Sequence, residues 1–189
     1  GLSHRSPVGI VLDTTARLPL ESRLVKSAGD IPLWLLVAAD AEVEKVDALS
    51  AAGCTVIRLA RAKGEPIDPR TAVRALGQRG ITKLMVEGGS AVARAFLDAD
   101  LADEVIISQS DLTIGDGGIL PFGERGVDLV TASVFFRKVG ARRSPRDCAS
   151  RQGAPQPDCE SPSLKAIRAP ASAPRSVRGS SARAMITER

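Results

Sequence analysis

The chain is poor in the residues that most often announce chemistry. Its 189 residues include one histidine, three cysteines, one tryptophan and no tyrosine, and aromatics make up 3%. A core must therefore be aliphatic, built from Val, Leu, Ile and Ala. Three cysteines do not make a disulfide framework. Cys54 sits in an apolar run and reads as a small core residue. Cys148 and Cys159 lie in a polar region without histidine, which argues against zinc. His4, close to the start of the sequence, has no neighbouring ligand types. No apolar run approaches the roughly 18 residues of a membrane span, and "GLSHRSPVGIVLD" lacks the basic and apolar regions of a signal peptide. These absences predict a soluble, cytoplasmic protein.

What is present divides unevenly. Residues 141–189 hold 10 basic and 4 acidic residues, a net of +6, whereas residues 1–140 hold 16 and 18, a net of −2. The overall charge of +4 thus belongs to the last 49 residues, and the body gives no electrostatic reason to expect nucleic acid. Those last residues carry half of the 12 prolines, with many Ser, Arg and Ala. Their large apolar residues are isolated, so disorder is expected over 141–189. The dispersed arginines lack interleaved aromatics, which argues against specific RNA recognition.

Residues 1–140 alternate between strand and helix patterns. "PVGIVLD" reads as a strand and "RLPLESRLV" as an irregular link. The continuous run Leu33 to Ala39 suits a strand covered on both faces. "DAEVEKVDALSAAG" places Val43, Val46 and Leu49 on one helical face, with Asp40 as N-cap and Gly53 as stop. "CTVIRLA" follows as a strand. Asp68 and Pro69 open a second helix that ends at Gly80. "ITKLMVE" is a strand, "SAVARAFLDAD" a helix capped by Ser90 with Val92, Phe96 and Leu97 inward, and "DEVIISQS" another strand. "VDLVTASVFFRKVG" suits one long strand or a bent pair, and its end near Ser133 to Val139 should pair antiparallel at an edge. The expected class is α/β, a mixed, mainly parallel sheet with helices on both faces.

The segment "KLMVEGGSAVARAFLDADLADEV" carries the main functional question. A strand running into Gly88, Gly89 and Ser90 and then a helix offers backbone amides and a helix dipole to an anion. Glycine lets a ligand approach the backbone. The same two glycines could equally do no more than turn the chain. A full G-x-G-x-x-G fingerprint is absent. Glu87 closes the strand and could accept from a ligand hydroxyl or stand as a solvated carboxylate. Asp13 and Thr14 occupy the same position on the first strand. "IGDGG" at 114–118 is a second glycine cluster, by itself a flexible turn.

Three segments, "IVLDTTARLPLESRLV", "GITKLMVEGGSAVARAFLDADLADEV" and "TIGDGGILPF", resemble the reductase domain of the bifunctional riboflavin-biosynthesis deaminase/reductase. The likeness runs from about Pro7 to Gly140. It implies a dihydrofolate-reductase-like fold, NADPH as cofactor, and hydride transfer to the ribose of a ribosylaminopyrimidine phosphate to give the ribityl product. By position, Thr14 resembles a cofactor contact, as do Gly89, Ser90, Ala91, Val92, Ala93, Arg94 and Ala95. Glu87 resembles a substrate contact. The family's domain opens with a further strand and helix that help to hold the substrate phosphate, and only six residues precede Pro7 here. The resemblance therefore implies a partial domain, 1–140, working as a homodimer or with a chain that supplies the missing half. The competing reading is an inactive remnant, or a nucleotide-binding or interaction module with a non-specific basic tail.

Overall fold

Two continuous apolar strands decide the architecture. β1 (Val8–Leu12) and β2 (Leu33–Ala38) pair in parallel, with Gly9 opposite Leu33 and Leu12 opposite Leu36. A computed structural model describes residues 6–108, 122, 128–131, 136–143, 162–168 and 182–188. β2 carries no outward polar residue because helices cover both its faces, as a parallel strand requires.

The chain forms two units, one of residues 1–101 and 176–189, the other of residues 102–175. In the first unit, the short helix α1 (Arg23–Lys26) follows β1, and Ser22 caps it through the amide of Val25. After β2 come α2 (Val43–Ala51), β3 (Thr55–Leu59), α3 (Pro69–Gln78), β4 (Ile81–Val86) and α4 (Ser90–Asp98). In the second unit lie β5 (Glu104–Ser108), the one-turn helix α5 (Asp128–Thr131), β6 (Phe136–Arg143) and β7 (Pro162–Arg168). β8 (Ala182–Glu188) returns to the first unit. The first unit's sheet has the order β3-β2-β1-β8-β4, with every pairing parallel. The second unit's sheet is β5-β7-β6, antiparallel throughout.

The core follows the two-residue period of the strands. Ile10, Leu36, Ile57 and Leu59 face Ala72, Leu76, Val92 and Phe96 of α3 and α4. Val11, Leu33, Leu35 and Val37 face Val25, Val46 and Leu49 on the other side, together with Ala16 and Leu18. Cys54 belongs to this second cluster, and its burial raises the thiol pKa.

Several expectations hold in detail. Asp68 accepts from the amide of Arg70 at 3.0 Å with Pro69 at the first helical position, and Gly53 and Gly80 have φ of +92° and +88° where their helices stop. Others need correction. α2 is capped at Glu42, not Asp40, and Val43 is exposed while Val46 and Leu49 are buried. Asp40 is drawn away by Arg61, whose Nε and Nη2 donate to its two oxygens at 3.0 Å each. α4 is capped at Gly89, so Ser90 is its first residue. Part of "VDLVTASVFFRKVG" is helical, at Asp128–Thr131, rather than strand. The strand at Phe136–Arg143 does pair antiparallel at an edge, but in the second sheet. Strand stands where disorder was expected at 141–143, 162–168 and 182–188. β7 begins at its only proline, where no ladder donor is needed, and β8 contains neither proline nor glycine. The glycine cluster 114–118, His4, Cys148 and Cys159 lie outside the described residues.

Leu36 is fully buried in the first core cluster. Leu36→Ala should lower the stability of the chain by about 2–5 kcal/mol. Urea unfolding followed by far-UV circular dichroism would show it as a shift in midpoint without a change in slope.

Candidate functional site

The order of the parallel strands creates a switch point. From β1 the chain steps outward through β2 to β3, then crosses by α3 to β4 on the opposite side of β1. In such sheets ligands bind outside the carboxyl ends of the strands, where the winding reverses. β8 stands between β1 and β4, so the ends of those two strands are about 10 Å apart, two strand spacings.

The carboxyl end of β1 is tightly fixed. The amide of Asp13 donates to the carbonyl of Leu36 at 3.0 Å, and the amide of Ala38 donates to the carbonyl of Thr14 at 2.9 Å. The side chain of Asp13 is fully buried. Its Oδ2 accepts from the amide of Leu18 at 2.7 Å, while its carbonyl accepts from the amide of Ala16 at 3.0 Å. The intervening Ala16 has φ of +56°, a conformation an alanine keeps only where its surroundings demand it. Oδ1 of Asp13 has no hydrogen-bond partner among the described residues, and the Nε of Arg17 stands 3.9 Å from it. This clamp leaves Thr14 half-buried at the edge of the sheet and Thr15 exposed.

At the end of β4, Glu87 is exposed and Gly89 caps α4 with φ of +60° and ψ of 136°. A side chain at that φ is strained, and a glycine cap places nothing over the first-turn amides. The sequence-predicted segment is not uniform. Val92 is buried in the core, so its side chain is committed to packing. Arg94 donates from Nε to Asp98 at 2.7 Å, one turn along the helix. Ala91 is exposed, and Ala93 and Ala95 are half-buried. Thr14, Glu87 and the Gly89–Ser90 turn thus share the carboxyl edge of one sheet.

Sequence reasoning passed over a third group on that edge. Nη1 of Arg58 donates to the carbonyls of Ala39 and Ala41 at 2.9 and 3.0 Å. Arg61, 14% exposed, holds Asp40 in the two-pronged contact and donates from Nη1 to the carbonyl of Glu65 at 2.6 Å. Hydrogen bonding from Arg61 keeps Asp40 below the usual carboxylate range, and Lys63 adds to the effect. The pair's small contribution to stability is present above roughly pH 4 and lost as pH falls through the lowered value. The R-x-x-R-x-K spacing at the end of "CTVIRLARAK" was the available signal.

An apolar hollow of about 220 Å³, lined in part by Pro7, Leu24, Ile31 and Leu33, lies at the opposite, amino end of β1 and β2. Among the described residues its lining carries no charge, whereas the strand-end edge gathers polar groups. Among the described residues no cluster of His, Cys, Asp and Glu suits a metal ion, and no helix is long and apolar enough to cross a membrane.

Fold and edge together define a doubly wound α/β unit with polar groups gathered at its strand ends. Residues 2–148 match the family model of the RibD C-terminal domain, and the chain belongs to that family. The riboflavin biosynthesis protein RibD of Bacillus amyloliquefaciens is 32% identical over 111 residues, 59% of this chain and 29% of that protein. RibD of Actinobacillus pleuropneumoniae is 25% identical over 134 residues, 70% of this chain and 35% of that protein. The chain spans about a third of the length of the curated relatives it matches. The crystal structure of a pyrimidine reductase-like protein from Corynebacterium diphtheriae superposes with a TM-score of 0.62 at 15% identity, over 87% of this chain and 62% of that one. That likeness is one of fold, and the fold is dihydrofolate-reductase-like.

Asp13→Ala would strip the buried amide of Leu18 of its acceptor and should cost about 1–3 kcal/mol. Asp13→Asn, whose carboxamide oxygen can take the place of Oδ2 opposite the Leu18 amide, should recover most of that loss. Chemical denaturation of the three proteins compares them directly.

Proposed function

We propose that the chain is a reductase domain of riboflavin synthesis. On this reading it binds NADPH along the carboxyl edge and reduces the ribose of a ribosylaminopyrimidine phosphate to the ribityl product. One observation carries the reading. Thr14 and the Gly89–Ser90 turn stand on the same edge of one parallel sheet, in a chain whose residues 2–148 match the RibD C-terminal domain.

The residues present fit a dinucleotide. The nine-residue helix α4 begins at a glycine with positive φ, so phosphate oxygens can approach its first-turn amides at the positive end of the helix dipole. Gly89, Ser90 and Ala91 serve through the backbone, and Val92, Ala93 and Ala95 hold the helix that presents them. Arg94 keeps the first turn's neighbour in place through Asp98. Thr14, fixed by the Asp13 clamp, offers a hydroxyl and a backbone amide to the cofactor from β1. The nicotinamide, when bound, supplies the hydride. The protein's part is to hold donor and acceptor carbons at reacting distance. Glu87, exposed at the end of β4, accepts from a hydroxyl of the substrate.

NADPH titration followed by cofactor fluorescence tests the reading. Saturable binding is expected, weakened at least tenfold in Gly89→Val, which should melt lower because its φ strains a side chain but should still unfold cooperatively. Absence of binding by the unaltered, cooperatively folded chain would refute it. Glu87→Gln should leave NADPH affinity unchanged and raise the KM for the pyrimidine substrate, a split that steady-state kinetics reads.

A further inference from the structure

Arg58, Arg61 and Lys63 fall within six residues with no acid among them, in a body whose net charge is −2. The structure places this run at the carboxyl ends of β2 and β3. Its three members differ in what they have left to offer. Arg61 is spent on Asp40 and on the carbonyl of Glu65. That contact also neutralises Asp40. Arg58 uses only Nη1, and it uses it on two carbonyls, which neutralise no charge. A guanidinium has five N–H donors in a fixed fork. The Nε and Nη2 edge of Arg58 therefore keeps three donors without a partner among the described residues. Lys63 is exposed, close enough to lower the pKa of Asp40, and without an ion pair among the described residues.

The cluster is continuous with the proposed cofactor edge. The carbonyl of Thr14 accepts from Ala38, the amide of Ala39 donates to Leu59, and Arg58 grips Ala39 and Ala41. Two strand spacings, about 10 Å, separate the strand of Thr14 from that of Arg58. From β3 to β4 the edge runs four spacings, about 19 Å. An extended dinucleotide with its pyrophosphate between Thr14 and Gly89 has room for its adenosine ribose on the β2–β3 side.

We infer that Arg58 and Lys63 form a subsite for a phosphate monoester, the 2′-phosphate on the adenosine ribose of the cofactor. The inference rests on the reading of the edge as a nicotinamide-dinucleotide site and adds to it the residues that separate NADPH from NADH. Arg58 supplies a preorganised fork, anchored by Ala39 and Ala41, that matches two phosphate oxygens. Lys63 supplies a mobile point charge. Arg61 stays a positioning residue that holds Asp40 away from the phosphate.

The full chain is titrated with NADPH, NADH, 2′,5′-ADP and ribose 5-phosphate, unaltered and as Arg58→Lys, Lys63→Ala and the double variant. The expected result is tighter binding of NADPH than of NADH by the unaltered chain. The double variant should lose roughly tenfold to a hundredfold for NADPH and for 2′,5′-ADP, with NADH affinity unchanged. Arg58→Lys keeps the charge and loses the fork, so a loss there supports the two-oxygen contact. An equal fall for NADPH and NADH would mean that the variants only disturb loop 39–41, and would overturn the inference. No change in either would overturn it too. Ribose 5-phosphate binding lost in the variants, with 2′,5′-ADP unaffected, would assign the cluster to substrate and reject the cofactor assignment. NADPH and NADH bound equally by the unaltered chain would reject the subsite and leave the dinucleotide reading standing. Binding of neither would reject both.

Discussion

The parallel ladder between β1 and β2 is the constraint on which the rest depends. Its register, Gly9 with Leu33 through Leu12 with Leu36, does not stop where the strands stop. The amide of Asp13 still finds the carbonyl of Leu36, and the carbonyl of Thr14 still receives the amide of Ala38. The ladder thus carries two residues past the strand and delivers Thr14 to the edge at a fixed height. β3 repeats the arrangement, since Ala39 donates to Leu59. A slip of one residue would turn Val11 and Leu35 toward α3 and α4 and bring Ile10 and Leu36 to the other side. It would also dismantle every strand-end contact at once. Core packing and site geometry are therefore one problem in this sheet. The apolar side chains on both faces fix the register, and the register places the polar groups at the edge.

Asp13 shows what fixing that edge costs. A fully buried carboxylate loses its water, and here one oxygen recovers a single backbone amide while the other has Arg17 at 3.9 Å. A loop of ordinary polar residues would not need it. The need arises because Leu18 must turn back into the second core cluster only six residues after the end of β1. That turn puts Ala16 at positive φ and leaves the amide of Leu18 buried. The carboxylate answers the amide. The strain and the buried charge are both consequences of bringing Leu18 inward, and a rigid Thr14 is what they produce.

The parts of the fold that were legible in the sequence are those written by short-range physics. The run Leu33 to Ala39 announced a strand covered on both faces, and Asp68, Pro69 and Gly80 marked a helix through capping and backbone freedom alone. Glu87 through Ser90 could be placed at a strand end because strand, glycine and helix follow each other without a gap. What escaped reading depended on partners distant in sequence. Asp40 looked like a cap until Arg61, 21 residues on, claimed both of its oxygens. Once the cap moved to Glu42, Val43 fell at the exposed start of the helix. Arg58 looked like an outward strand residue, and its role follows only from two carbonyls in the preceding strand-to-helix connection. The family likeness pointed to Thr14 and the α4 turn, but it carried no signal for the cluster at β2 and β3.

The strand Ala182–Glu188 makes the same point from the other side. Composition argued that residues 141–189 could not bury enough surface to order themselves. A strand position between β1 and β4 changes the reckoning. Both neighbours present a full row of backbone donors and acceptors, and a strand entering between them completes two ladders together. Most of that gain is independent of side-chain type. It asks only for a stretch that can extend and donate at every residue, which 182–188, without proline, satisfies. Ordering here is supplied by the receiving sheet and not by the segment's own apolar content. The sheet therefore needs some strand in this place more than it needs this sequence. The carboxyl edge, with Thr14 on one side of the gap and Gly89 on the other, keeps its span only while the gap is filled.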